Sequence, residues 1–399
     1  MTTFGRELRR LMVERGVGVR ALSRRVPCNP GYLSKLRQDQ QTPSDAMARR
    51  LEAALDAEGS LVPLTEPSSA RRRGERPVDL FGVDLPDVNG RPVDAAYVES
   101  IRETSQALVR LDTVHGGNDV LPLALRAFRV ANRKLGSGAY ERPIERDLIA
   151  ATGEIAEVAA WLAFDADRQE VSRQVIHEAL MLSRAAGDRD MELFELTHMA
   201  MQSVHLHRPA EAVRLTADVV DGRRPSPRVT ALFDIRRGRA LAQLGDKRRA
   251  LDALGRARAT LKDGITAADS PWTWWITDAE VLWHTGMAHA ELGEWGAAVP
   301  LLRETADRRA AYQRARYNDL VHLLNALVHV ADWREAEPVL GEVAAQVGEV
   351  GSTRTANLLA RTVGRIARTD APSTVAAISD EVQRRLHQDL SRQASPRLL

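Results

Sequence analysis

Val19-Arg20-Ala21-Leu22-Ser23-Arg24-Arg25-Val26, a break at Pro27-Cys28, then Asn29-Pro30-Gly31-Tyr32-Leu33-Ser34-Lys35-Leu36 is the stretch on which the reading of this chain turns. It predicts two short amphipathic helices meeting across a tight turn. The second opens with Asn at the cap and Pro at the first helical position, where a missing N–H is harmless and a fixed φ sets the direction of the helix. Such a pair presents a helix start to a DNA groove. Working outward, Phe4, Leu8, Leu11 and Met12 recur at helical spacing while Arg6, Glu7, Arg9, Arg10 and Glu14 fill the other face, which predicts a first helix ending near Arg15-Gly16. Leu22 and Val26, then Leu33 and Leu36, turn the next two helices onto the same core. Thr42-Pro43-Ser44-Asp45 has the order cap, first-turn Pro, acidic residue, and predicts a fourth helix that buries Met47, Leu51, Ala54 and Leu55. Leu61 to Leu64 is a candidate fifth.

Composition extends this to an all-α protein of more than one part. The chain has 399 residues, 44% hydrophobic but only 5% aromatic, which suits helices packed through Leu, Ala and Val. Net charge is only +2, yet residues 1–76 hold 15 Lys/Arg against 9 Asp/Glu, so the front attracts phosphate and the remainder is mildly acidic. Cys28 is the single cysteine, which excludes an intrachain disulfide and points to a reducing compartment. Its slot in the turn suits a small apolar side chain. No apolar run has bilayer-spanning length and the first ten residues lack a signal-peptide core, so the expectation is a cytoplasmic protein with no membrane partner.

On these residues, positions 4–64 resemble the Xre/Cro-type helix-turn-helix family, a bundle whose third helix enters the major groove. The resemblance is best from Ala21 to Leu36. It implies that Pro30, Gly31, Tyr32, Ser34 and Lys35 fall at or near base edges, with Lys35 toward guanine, Tyr32 toward a thymine methyl and Ser34 toward either base type. Asn29 caps that helix. Arg20, Arg24, Arg25, Arg37 and Gln40 flank it and fall where backbone phosphates are met. The chain departs from the family at Pro27, Val19 and Arg37, so no operator sequence is carried over.

From Gly59 to Pro92, Pro63, Pro67, Pro77, Pro86 and Pro92 interrupt any helix and Arg71-Arg72-Arg73-Gly74-Glu75-Arg76 is strongly hydrophilic, so residues 65–93 read as a linker, with Leu80-Phe81 and Val83-Leu85 apolar enough to dock. Beyond Asp94 the pattern helix, short turn, helix recurs. Turns fall at Asp167-Arg168-Gln169, His207-Arg208-Pro209, Gly245-Asp246-Lys247, Gly293-Glu294-Trp295 and Ala331-Asp332-Trp333, each followed by a small residue: Ser172, Ala212, Ala250, Ala298 and Ala336. In Gly238 to Ala257 and Gly286 to Thr305 the order Gly, Gly, Ala resembles the tetratricopeptide pattern, where small residues let antiparallel helices approach and stacked pairs bury a shared core. Longer connections, such as 221–227 and 262–271, stretch the repeat. Residues 94–151 read as helices that start the stack, with Ile101, Leu108 and Leu111 on one side, and 356–392 as its closing helices.

Front and back together, the chain resembles actinobacterial Xre-type regulators that carry a helical-repeat sensor, with a DNA head at 1–64 and a repeat domain at 94–399. That resemblance implies duplex DNA and a second copy of the protein as partners, and a peptide or small-molecule signal in the repeat groove. The inward slots of the first helix of each pair hold Glu157, Trp161 and Asp165; Thr197, Met201 and His205; Arg236, Arg239 and Gln243; Trp283, Met287 and Glu291; then His322, Asn325 and His329. Of these, Trp161, Met201, His205, Arg239, Trp283, Met287, His322, Asn325 and His329 are the candidate ligand contacts, a mixture of aromatic, sulfur and polar groups suited to an amphiphile. Asn325 offers an amide that pairs with both groups of a peptide bond. The competing reading places the Trp and Met side chains in the core between repeats.

Neither a metal nor a cofactor is expected. His198 with His205 and His322 with His329 are seven residues apart, about 10 Å along a helix and too far for one ion. No phosphate-loop glycines, GxSxG elbow, HExxH or paired nucleophilic cysteine occurs, so no enzyme is expected either. The sequence therefore reads as a ligand-responsive transcriptional regulator, with a protein-interaction scaffold localised by its DNA head as the rival.

Overall fold

Apolar residues at helical spacing, punctuated by Gly, Pro and Asp, give helices throughout, and a computed structural model of the chain describes them for residues 3–64 save 27, 29, 42, 44 and 58, for 93–217, for 225–310 save 265, 267 and 268, and for 312–394. It divides into two units, Met1–Asp79 and Leu80–Leu399. Among the described residues the only extended pairing is a single bridge between Val93 and Tyr140.

The first unit holds α1 (Phe4–Glu14), α2 (Val19–Arg25), α3 (Pro30–Arg37), α4 (Asp45–Leu55) and a 3-10 turn, Val62–Leu64. Leu8, Leu22, Leu33, Leu36, Leu51 and Leu61 are completely buried in one core with Phe4 and Met12. Polar groups fasten its corners. Asp39, in the left-handed region at φ 56°, accepts from the Thr3 hydroxyl at 2.7 Å and the Gly5 N–H at 2.6 Å, which ties the end of α3 to the start of α1. Arg15 donates to the carbonyls of Leu55 and Asp56 and ties α1 to the end of α4.

Two expectations for this unit need correction. The fourth helix starts at Asp45, and Pro43 precedes it as a buried residue. The Leu61 to Leu64 segment forms no α-helix, because the buried Glu52 carboxylate takes the N–H groups of Leu61 and Val62 at 2.6 and 2.8 Å and holds the chain in a 3-10 turn. The caps proposed at Asn29 and Thr42, and the docking segments at Leu80-Phe81 and Val83-Leu85, lie outside the described residues.

The second unit is a stack of antiparallel helix pairs: α5 (Ala95–His115) with α6 (Gly117–Gly136), α7 (Arg142–Asp165) with α8 (Gln169–Ala186), α9 (Arg189–His205) with α10 (Pro209–Ala217), α11 (Pro227–Gln243) with α12 (Lys247–Thr260), α13 (Asp278–Glu291) with α14 (Trp295–Arg308), α15 (Gln313–His329) with α16 (Trp333–Gln346), and α17 (Thr353–Ile366) with α18 (Ser373–Ala394). This is a tetratricopeptide-like helical repeat. The five expected turns share one geometry, since Asp167, His207, Gly245, Gly293 and Ala331 all have positive φ, between 53° and 78°. The small residues that follow, Ser172, Ala212, Ala250, Ala298 and Ala336, are fully buried where the paired helices touch.

The first helices of the pairs pack on one another, α5 on α7, α7 on α9, α9 on α11 and α11 on α13. In addition α15 packs on α5 and α17 on α7, so the last repeats return to the first. This brings the inner faces of the repeats around a shared interior.

Candidate functional sites

In the first unit, α3 is divided lengthwise. Leu33 and Leu36 are buried, Pro30, Gly31 and Lys35 are exposed, and Tyr32, Ser34 and Arg37 lie between. Tyr32 and Cys28 both pack, partly buried, against the core. Arg20 and Arg25 on α2, and Gln40 after α3, are exposed. Asn29 and the side chain of Arg24 lie outside the described residues. The expected base-facing and phosphate-facing positions thus reach solvent at Pro30, Gly31, Lys35, Arg20, Arg25 and Gln40. Tyr32, Ser34 and Arg37 are half-buried.

The interior of the second unit is far more charged than a helical core usually is. At the meeting of first and last repeats, Asp165 is fully buried and accepts from the Gly117 N–H at 3.2 Å, the Ser352 hydroxyl at 2.9 Å and Arg354 at 3.0 Å, with Arg314 at 3.5 Å. These donors hold its carboxyl below the usual carboxylate range against the opposing effect of burial. Asp112 lies on the other side of Arg314 at 3.4 Å and accepts from the Trp161 indole at 2.9 Å. Burial raises its carboxyl. The guanidinium of Arg314 sits over Trp161, 5.1 Å from the ring centre, and that of Arg354 over Phe164 at 5.2 Å.

A second chain crosses the neighbouring repeats. Arg239 donates to Glu291 at 2.6 Å and lies 3.2 Å from Nδ1 of His284, whose Nε2 is 3.0 Å from Glu280. Burial pushes His284 down to about 3, so the ring is neutral, with Nδ1 facing Arg239 and Nε2 lying between the Glu280 carboxylate and the Arg236 guanidinium, which is 2.9 Å away. Arg309 pairs with Glu280 and with Asp319, and burial lifts the Asp319 carboxyl to about 7. Deeper in, Nδ1 of His198 meets Glu157 at 3.0 Å, both buried.

The structure distributes the expected groove residues unevenly. Arg239, Trp283 and His322 come together, with Arg239 covering Trp283 at 5.6 Å and the Trp283 and His322 rings meeting edge to face at 5.3 Å, whereas His205 lies 3.5 Å from Asp167 and meets the Phe164 ring edge to face at 5.1 Å. Trp161 belongs to the Asp112 and Arg314 cluster. Asn325 and His329 turn elsewhere, the Asn325 side chain accepting from Thr362 at 3.3 Å and His329 stacking on Trp295 at 3.7 Å between ring centres. Met287 packs with the last repeats, and Met201 is half-buried one turn before His205. Sequence reasoning passed over Asp112, Glu280, His284, Arg309, Arg314, Asp319 and Arg354. One signal was available: Asp112 continues the buried Ile101, Ser105, Leu108 stripe of α5, and a carboxylate on an apolar stripe demands a partner.

No family model matches the chain, and no curated protein sequence matches it. Among solved structures, the chain is similar to a Rap protein complexed with Competence and Sporulation Factor, at 10% identity and a TM-score of 0.42 over 74% of this chain and 99% of that one. No residue role is carried over from it.

Proposed function

We propose that the protein is a ligand-responsive, sequence-specific DNA-binding regulator. The observation that supports this reading most is the division of α3, which buries Leu33 and Leu36 and leaves Pro30, Gly31 and Lys35 open between the exposed Arg20, Arg25 and Gln40. In the Xre/Cro-type family that residues 4–64 resemble, the corresponding helix reads the major groove. One such head reads only a few base pairs, so the protein acts as a homodimer on two half-sites, in the cytoplasm, where it meets DNA. The repeat unit is the sensor, and its charged interior takes the signal. A signal shifts DNA affinity only as far as it discriminates between two states of the repeat. No catalytic step is part of this reading.

Sequencing the fragments that the purified full chain retains from a random duplex pool tests it. A motif repeated at a spacing of about one helical turn is the expected result. Retention of random and selected duplexes with equal affinity rules the reading out.

A further inference from the structure

The outer face of α6 carries a row of arginines that no carboxylate among the described residues neutralises. From Val120 to Gly136 this helix holds Arg126, Arg129, Arg133 and Lys134 and no acidic residue. Its apolar stripe of Val120, Ala124, Ala127, Phe128 and Ala131 is buried in the core, which turns Arg126, Arg129, Asn132 and Arg133 outward, all exposed. Exposed arginines elsewhere in the repeat unit hold carboxylates. Arg184 takes Glu192 at 2.9 Å, Arg256 takes Asp234 at 2.6 Å, and Arg258 and Arg308 share Asp278 at 2.9 and 2.8 Å. Arg126, Arg129 and Arg133 make no ion pair among the described residues. The Nε of Arg129 donates to the Leu125 carbonyl of its own helix at 3.1 Å, which leaves its terminal nitrogens without a partner there.

These three side chains and Asn132 line an open cleft of about 360 Å³, and no apolar or aromatic side chain among the described residues joins them in its wall. Arg126 and Arg133 are about 10 Å apart along the helix, a length over which one strand of a duplex carries about three phosphates. The lining also selects between polyanions. A protein partner is anchored by aromatic or aliphatic side chains at the centre of its interface, with charge at the rim, and this cleft offers no such anchor. A phosphate backbone asks only for positive charge and N–H donors, which arginine and asparagine supply.

We propose that the α6 row is a further nucleic-acid contact of this chain, one that holds the phosphate backbone of a duplex without reading its bases. It goes beyond the assignment of α3 and asks nothing of it, because backbone binding is independent of sequence.

The test uses the full chain and a random-sequence duplex about three helical turns long, with affinity measured over a range of salt. Arg126→Gln, Arg129→Gln and Arg133→Gln together should reduce the slope of log affinity against log salt by about two to three and lower affinity at low salt about tenfold or more. Because the three side chains are exposed, the melting temperature should hold. Lysine at the same three positions, which keeps the charge, should keep most of the slope. Arg256→Gln, Arg258→Gln and Arg308→Gln together remove equal charge from a paired surface and should leave the slope as it was. A slope unchanged by the α6 set, or reduced as much by the control set, overturns the proposal. So does an α6 set that loses binding to poly-glutamate while keeping the duplex, since the partner is then an acidic protein. A full chain that selects no sequence motif, yet loses slope with the α6 set alone, keeps this contact and removes the base-reading head; a retained motif with an unchanged slope does the reverse.

Discussion

The backbone N–H of Gly351 donates to the carbonyl of His115 at 2.7 Å, and its own carbonyl accepts from Asn118 at 2.8 Å, so the loop before α17 is bonded to the turn between α5 and α6. A side chain at Gly116 would meet the Gly351 carbonyl at 2.8 Å, which is why both backbones are bare at this point. Open solenoids leave their ends apart, each repeat touching only its neighbours. Here the closing contact brings Asp165 and Asp112 of the first repeats to Arg314 and Arg354 of the last ones, and the ionic interior exists because of it.

Asp165 is the centre of that closure. Asp165→Ala leaves Arg314 and Arg354 short of their shared carboxylate and should cost about 3–5 kcal/mol in urea unfolding. Asp165→Asn keeps the shape and should cost less. In both variants the amides of Asn118 and Gly351 should exchange faster than those of α11 and α12, which lie away from the contact. Unchanged exchange at those two amides would show that the ends are held by something else.

The five αL turns make an internal control. Ala331, at φ 54°, carries a Cβ in a conformation that disfavours it, whereas Gly245, at φ 78°, does not. Ala331→Gly should stabilise the protein by about 0.5–1 kcal/mol and Gly245→Ala should destabilise it by about 1 kcal/mol or more, measured as shifts in denaturation midpoint. Shifts of the same sign would refute a shared turn geometry.

Those turns were legible in the sequence because a helix stop is a local event, written in Gly, Asp and the small residue that follows. Gly238 and Gly286 were legible for a similar reason: a Cβ there would meet Leu254 at 2.8 Å and Leu302 at 3.0 Å, so the close helix contact selects the residue directly. The front helices followed from the Leu8, Leu22, Leu33 and Leu36 spacing. Glu52 was missed because its partners are backbone N–H groups nine and ten residues on, which leave no trace in side-chain pattern. The pairing of Asp165 with Arg354 was invisible for the opposite reason, since helical periodicity says which face is buried but not which distant repeat covers it.

Lys35 and Arg20 separate two ways of holding DNA. Lys35 is exposed on α3 and Arg20 on α2; under the proposed function the first meets base edges and the second meets phosphates. Lys35→Ala should relax preference at one operator position by ~1–3 kcal/mol, while Arg20→Ala should weaken every duplex alike and flatten the salt dependence by about one counterion. Binding assays on matched and single-substituted duplexes over a range of salt read both. Equal loss on all duplexes for both variants would contradict the assignment.

Glu195 gives the repeat unit a pH dependence whose sign follows from its surroundings. It is completely buried on α9, with Oε1 accepting from the Ser183 hydroxyl at 2.7 Å and Oε2 unpartnered. Burial lifts its carboxyl to about 9, with Glu157, Asp188 and Glu192 pushing the same way, so the folded protein carries a proton there at neutral pH. An unfolded chain releases that proton near pH 4.3. Between those values the folded state binds more protons, and stability falls as pH rises, by roughly 1 kcal/mol for each pH unit. Glu195→Gln has no proton to lose. Its urea midpoint should lie nearest the wild type's at about pH 4 and exceed it increasingly toward pH 8, and two curves that run parallel across that range would mean that Glu195 is charged in the folded protein.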